Sequence, residues 1–134
     1  MSKIDTAFIV DDDQIYVYAL KKIMTLHNIC RKLEIFNNGE EAIEHIKSLI
    51  TQEGMLPDVI LLDINMPVMD GWAFLDEFVK LKPKLKRKIT IYMLTSSIDP
   101  ADVKRARNYA EISDYWVKPI KLEELMKLVE SGPV

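Results

Sequence analysis

Apolar runs in this chain stop abruptly at charged residues. Ile9-Val10 runs into Asp11-Asp12-Asp13, Val59-Ile60-Leu61-Leu62 into Asp63, and Tyr115-Trp116-Val117 into Lys118-Pro119. Short continuous apolar runs suit strands buried on both faces, as in parallel sheets. If these runs are parallel strands, their carboxyl ends share one rim, and open α/β sheets bind ligands at that rim. Carboxylates gathered there would repel one another and raise their own pKa values unless a cation neutralised them. Together with the lysine they describe a site for a divalent metal and a phosphoryl group.

The segments between the runs change to a helical period. Over residues 14–27, Tyr16, Ala19, Leu20 and Ile23 form an apolar stripe with Lys21 and Lys22 opposite, and Asp12 or Asp13 is placed to cap the helix. Residues 33–36 alternate and read as a strand nearer an edge. Asn38 with Glu41 makes a capping box for a helix whose stripe is Ala42, Ile43, Ile46, Leu49 and Ile50. Phe74, Leu75 and Phe78 line the next helix, which Pro83 must end. Residues 89–94 are a further strand. Asp99-Pro100 starts a helix running to about Tyr109, thin in apolar residues and so the loosest part of the fold. Leu122, Leu125, Met126 and Val129 give the last helix its buried face. Five strands alternating with five helices predict a doubly wound α/β sheet with residues 58–62 at its centre.

Composition narrows the function. A chain of 134 residues, 49% hydrophobic, is expected to make a single domain over residues 1–134, with no output domain among them. A net charge of -3 argues against nucleic acid. The basic stretch at residues 80–88 lacks interleaved aromatics and follows a helix, so it reads as a solvated connection. Cys30 is the single cysteine and reads as a small apolar residue beginning a strand. His27 and His45 fall too far apart to share a metal. No leader and no run of roughly 20 apolar residues is present, so a cytoplasmic protein with no membrane contact is expected.

Taken in order, the motifs resemble the receiver domain of two-component response regulators, the CheY-like family, in its single-domain form. Val10-Asp11-Asp12 looks like the acidic pair after the first strand. The segment from Leu61 to Pro67 looks like the phosphoacceptor segment, with Met69-Asp70-Gly71 as the turn after it. Leu94-Thr95-Ser96 is similar to the hydroxyl position, and the segment from Asp114 to Pro119 to the lysine position. The resemblance implies a flavodoxin-like five-stranded parallel sheet of order 2-1-3-4-5.

It also implies roles. Asp63 would be nucleophile and phosphoacceptor. Asp11, Asp12, Asp63 and the backbone carbonyl of Asn65 would hold Mg²⁺, for which Mn²⁺ could substitute. Lys118 would pair with Asp63 before reaction and with a phosphoryl oxygen after it, and the Lys118-Pro119 bond is cis in much of the family. Thr95 would offer its hydroxyl, and Thr95 with Tyr115 would form the switch. Asn65 and Ser97 would flank the path of the hydrolytic water, while Asp13 reads as a helix-start residue. The implied partners are a sensor histidine kinase or histidine phosphotransfer protein and an unidentified downstream protein. The chain would catalyse only its own phosphorylation and dephosphorylation. An adaptor that binds without phosphorylation is the alternative, and a flavin carrier is disfavoured because Asp11-Asp12-Asp13 would repel a flavin phosphate. One departure stands out. The family often has a glycine before the fifth strand, and residues 108–113 have none, which predicts a longer or differently turned connection. Trp116 would be a contact residue if exposed and a packing residue if half-buried.

Overall fold

The computed structural model describes residues 4–51, 56–96 and 99–131. Its elements are β1 (Ile4–Val10), α1 (Gln14–Leu26), β2 (Cys30–Phe36), α2 (Gly39–Leu49), β3 (Val59–Asp63), α3 (Gly71–Leu81), β4 (Thr90–Thr95), α4 (Pro100–Ala106), β5 (Ile112–Val117) and α5 (Leu122–Ser131). The strands pair in parallel in the order β2-β1-β3-β4-β5. This is the doubly wound flavodoxin-like sheet that the alternation predicts, with β3 central and wholly buried.

Strand parity divides the core into two layers. Phe8, Val10, Ile60, Leu62, Ile91 and Met93 face α2 and α3, while Ala7, Ile9, Val59, Leu61 and Leu94 face α1 and α5. Each large side chain fully withdrawn from water contributes about 1.5–3 kcal/mol, so these layers outweigh every polar contact in the fold. Helices α1 to α4 start on side-chain caps: Asp13, Asn38, Asp70 and Asp99 each accept a backbone N–H from the first turn. Glu41 reaches back to the Asn37 N–H at 3.2 Å, one residue earlier than the standard capping box.

Several expected details differ. α1 buries Val17, Leu20 and Met24, while Ala19 is exposed and Ile23 is 37% exposed. α5 buries Leu125 and Leu128, leaving Leu122 and Met126 at 45% and 37% exposed. In both helices apolar residues occupy two faces, and packing against the sheet selects one. Pro83 does not stop α3 directly. It lies in a 3₁₀ turn, Lys82–Lys84, where its missing N–H costs nothing.

α4 ends at Ala106, short of Tyr109. The chain then closes two tight turns, Tyr109 N–H to Ala106 at 3.1 Å and Ile112 N–H to Tyr109 at 3.2 Å, and enters β5 at Ile112. These turns use no positive φ, so the connection needs no glycine and is compact. Ala106 is the residue α4 buries. The helix is instead anchored to α3 by polar and aromatic contacts. Arg105 lies 4.6 Å over the Trp72 ring, Tyr109 stacks on that ring at 5.8 Å, and the Tyr109 hydroxyl donates to Asp76 at 2.8 Å. Trp116 is a packing residue, 5% exposed and stacked on Tyr92 at 4.5 Å, because parity turns it toward α5.

Candidate functional site

The rim formed by the carboxyl ends of β1, β3, β4 and β5 brings the acidic residues and the lysine together. Asp11 follows β1, and its N–H donates to the Phe36 carbonyl at 3.0 Å, which extends the ladder by one residue. Its Oδ1 accepts the Asp13 N–H at 2.9 Å. Asp13 in turn caps α1 by accepting the Tyr16 N–H at 3.1 Å. Asp11 is therefore pinned and buried, while Asp12 beside it is exposed. Asp63 ends β3 opposite Leu94, and the following Ile64 N–H donates to the Leu94 carbonyl at 3.1 Å. The Lys118 N–H donates to the Thr95 carbonyl at 2.7 Å, so Lys118 leaves β5 beside Thr95. The Lys118-Pro119 bond is cis.

The side chains converge. Lys118 Nζ lies 2.7 Å from Asp11 Oδ2 and 3.3 Å from Asp63 Oδ1. Asp11, Asp12 and Asp63 each offer an oxygen, and these oxygens lie within 4.8 Å of one another. Asp13 stands outside this group, as a cap should. Burial, reinforced by the Asp11 charge against the pull of Lys118, pushes the Asp63 carboxyl up to about 6. For Lys118, burial opposes the charge, but the hydrogen bond and charge of Asp11, with Asp63 behind them, outweigh it and raise its pKa. Hard carboxylate oxygens crowded at this spacing, with one lysine between them, fit a small divalent cation such as Mg²⁺ or Mn²⁺.

The surroundings fix this arrangement. Asn65 is exposed two residues beyond Asp63. The loop then turns through Val68, which carries a φ of 67°. Gly71 closes it: a Cβ there would stand 2.6 Å from the Asp63 carbonyl oxygen, and its N–H donates to the Ile64 carbonyl at 2.8 Å. Thr95 is 3% exposed at the end of β4. Tyr115 packs toward the α3 layer with its hydroxyl buried. Burial raises its pKa, and the neighbouring Thr95 side chain opposes that. Ser97 lies outside the described residues. Sequence reasoning missed Tyr16 at this site and placed it only in a core stripe. Its ring centroid is 4.8 Å from Lys118 Nζ, and burial first, with the charges of Asp11 and Asp63, pushes its hydroxyl up to about 12 against the Ile120 backbone. The available signal was its place in the first turn of the helix that follows Asp11 and Asp12 and is capped by Asp13.

Residues 7–130 match the family described as the response regulator receiver domain. The chain belongs to that family. In structure it is similar to a two-component response regulator from Cytophaga hutchinsonii, with 29% identity, a TM-score of 0.86 and 96% of each chain covered. It is also similar to the Mn²⁺-bound form of the response regulator Rcp1, with 27% identity, a TM-score of 0.72, and 95% of this chain and 90% of that one covered. In sequence it is 25% identical over 122 residues to a probable methanogenesis regulatory protein, FilR2, of Methanothrix harundinacea, covering 91% of this chain and 77% of that protein. It is 32% identical over 124 residues to the DNA-binding transcriptional regulator NtrC of Escherichia coli, covering 92% of this chain but 24% of that protein. Receiver domains of two-component response regulators are signalling modules rather than classical enzymes. Among the described residues, no helix of this receiver domain is long and apolar enough to cross a membrane.

Proposed function

We propose that the receiver domain accepts a phosphoryl group on Asp63 from a histidine kinase or histidine phosphotransfer protein and signals by protein contact. The observation that carries this reading is a carboxylate at the end of the central strand, 4% exposed, with Lys118 3.3 Å away and two further carboxylates in reach. A group so placed is held for chemistry at the cost of its own ionisation.

In the proposed step an Asp63 carboxylate oxygen attacks the phosphorus of a phosphohistidine. The P–N bond breaks, the imidazole nitrogen leaves with the electron pair, and an acyl phosphate forms. Asp11, Asp12, Asp63 and the Asn65 carbonyl would hold Mg²⁺, which when bound neutralises charge on the phosphoryl oxygens; the Mn²⁺-bound relative supports a hard divalent ion. Lys118 changes partner from Asp63 to a phosphoryl oxygen, an exchange that a flexible point cation suits. Thr95 donates its hydroxyl to another phosphoryl oxygen. Tyr115, whose hydroxyl lies buried beside Thr95, carries the change toward α4. With an uncharged Asn65 as a flank of the water path, no strong general base stands ready, and the acyl phosphate should decay at a moderate rate. The module would work in the cytoplasm.

Two experiments test this. Acetyl phosphate with Mg²⁺ should add one phosphoryl group to the wild type and none to Asp63→Asn, read by intact mass. Stoichiometric, stable labelling of the variant, or equal labelling of the wild type in excess chelator, sinks the assignment. Lys118→Ala should remain folded yet lose the phosphorylation-induced change in amide spectra; the full wild-type change in that variant would refute the role of Lys118.

A further inference from the structure

We propose that Tyr16 is a positioning residue: its ring face is the seat to which the Lys118 ammonium withdraws when a divalent cation takes the carboxylates. The proposal rests on the metal and lysine roles given above and adds a residue they do not include. Lys118 is 10% exposed at its side chain, and its ammonium is enclosed by Asp11 Oδ2 at 2.7 Å, Asp63 Oδ1 at 3.3 Å and the Tyr16 ring at 4.8 Å. The carboxylates are the oxygens a divalent cation would use, so the two cations compete for them. Like charges cannot share the Asp11 oxygen, and retreat into bulk water is blocked by burial. The aromatic face is what remains, because its quadrupole attracts a cation without carrying a charge that would also attract the metal.

The position of the ring is fixed by the fold. Asp13 takes the Tyr16 N–H at 3.1 Å, which sets the first turn of α1 against the rim. The Tyr16 hydroxyl is buried against the Ile120 backbone, away from the ammonium's contact with the ring. At the site it is the ring, not the hydroxyl, that meets the Lys118 ammonium.

Removing the ring should strengthen the lysine as a competitor. Calorimetric titration of the unphosphorylated protein with Mg²⁺ should show Tyr16→Leu binding about fivefold more weakly than wild type, with Tyr16→Phe within about twofold. In a Lys118→Ala background the Tyr16→Leu penalty should vanish, which a merely structural role would not produce. In spectra of the wild type, the Lys118 methylene protons next to the ammonium should be shifted upfield by the ring and move further upfield as Mg²⁺ is added. That measurement needs no variant, so it decides the matter even if Tyr16→Leu does not fold. Equal affinity in Tyr16→Leu and wild type, a penalty that persists without Lys118, an equal loss in Tyr16→Phe, or Lys118 protons that drift toward free-lysine positions would each overturn the seat. Phosphorylation plays no part in these readouts. A seat found in a chain that accepts no phosphoryl group would leave this inference standing and remove the phosphoacceptor reading.

Discussion

Asp58 and Asp63 stand at opposite ends of β3, 1% and 4% exposed, and the protein treats them in opposite ways. Asp58 is saturated with donors. Its Oδ2 accepts the Asp5 N–H at 2.7 Å and the Thr6 N–H at 3.1 Å, and its Oδ1 is paired with Arg87, which also donates to the Leu56 carbonyl at 3.1 Å. One carboxylate thereby ties β1, the entry to β3 and the entry to β4. Asp63 has a lysine at 3.3 Å, and that lysine is held more closely by Asp11 at 2.7 Å. The same side chain at the same depth becomes a rivet at one end and an under-compensated charge at the other. Burial alone does not make a carboxylate reactive; burial among other carboxylates does.

The sharpest way to break this comparison is to remove the rivet. Asp58→Ala strands Arg87, the buried Thr6 N–H and the half-buried Asp5 N–H, and should lower stability by about 3 kcal/mol, read as a fall in urea midpoint at unchanged slope. A loss under about 1 kcal/mol would mean that the two ends do not differ in kind.

Asp63→Asn should act in the other direction. A folded pKa of about 6 against 3.8 means that the folded protein holds the proton more tightly than the unfolded chain. Wild-type stability therefore falls as pH rises through that window, and the whole penalty is present above it. In metal-free buffer near neutral pH, Asp63→Asn should gain about 2 kcal/mol. The gain should shrink as pH falls through about 6 and be gone near 4. A pH-independent gain would point to packing instead of charge.

The smallest effect belongs to the loop behind Asp63. Among the described residues, Asn28 and Val68 are the non-glycine residues at positive φ, 51° and 67°. Asparagine tolerates that region and a β-branched side chain does not. Val68 is 76% exposed and packs little, so Val68→Asn should raise stability by about 1 kcal/mol, visible as a higher Tm. No change would show that the loop beyond Asp63 stores no backbone strain.

The sheet and the gathering of Asp11, Asp12, Asp63 and Lys118 were legible because each is fixed by a discontinuity along the chain, where an apolar run meets a charge. The helix phases of α1 and α5 were not. Ile15 and Leu26 are 85% and 77% exposed, and such residues blur the period that a stripe is read from. The end of α4 was hidden because turns without positive φ leave no glycine to mark them. The role of Asp58 was not legible, since the donors that saturate it come from Asp5, Thr6 and Arg87, far away in sequence. Tyr16 was lost for the same reason: its ring meets a lysine from the far end of the chain.

The contact between Gly71 and Asp63 has a consequence for anyone who would transplant this site. With 2.6 Å between the place of a Cβ and the Asp63 carbonyl oxygen, the first turn of α3 is set directly on the main chain of β3. The Asp70 side chain caps that turn at 2.9 Å, and Trp72 carries it on to Tyr109 and Arg105 after and within α4. The portable unit is β3, its loop and the opening of α3 as one piece, and a graft of the loop alone would carry the residues without their spacing.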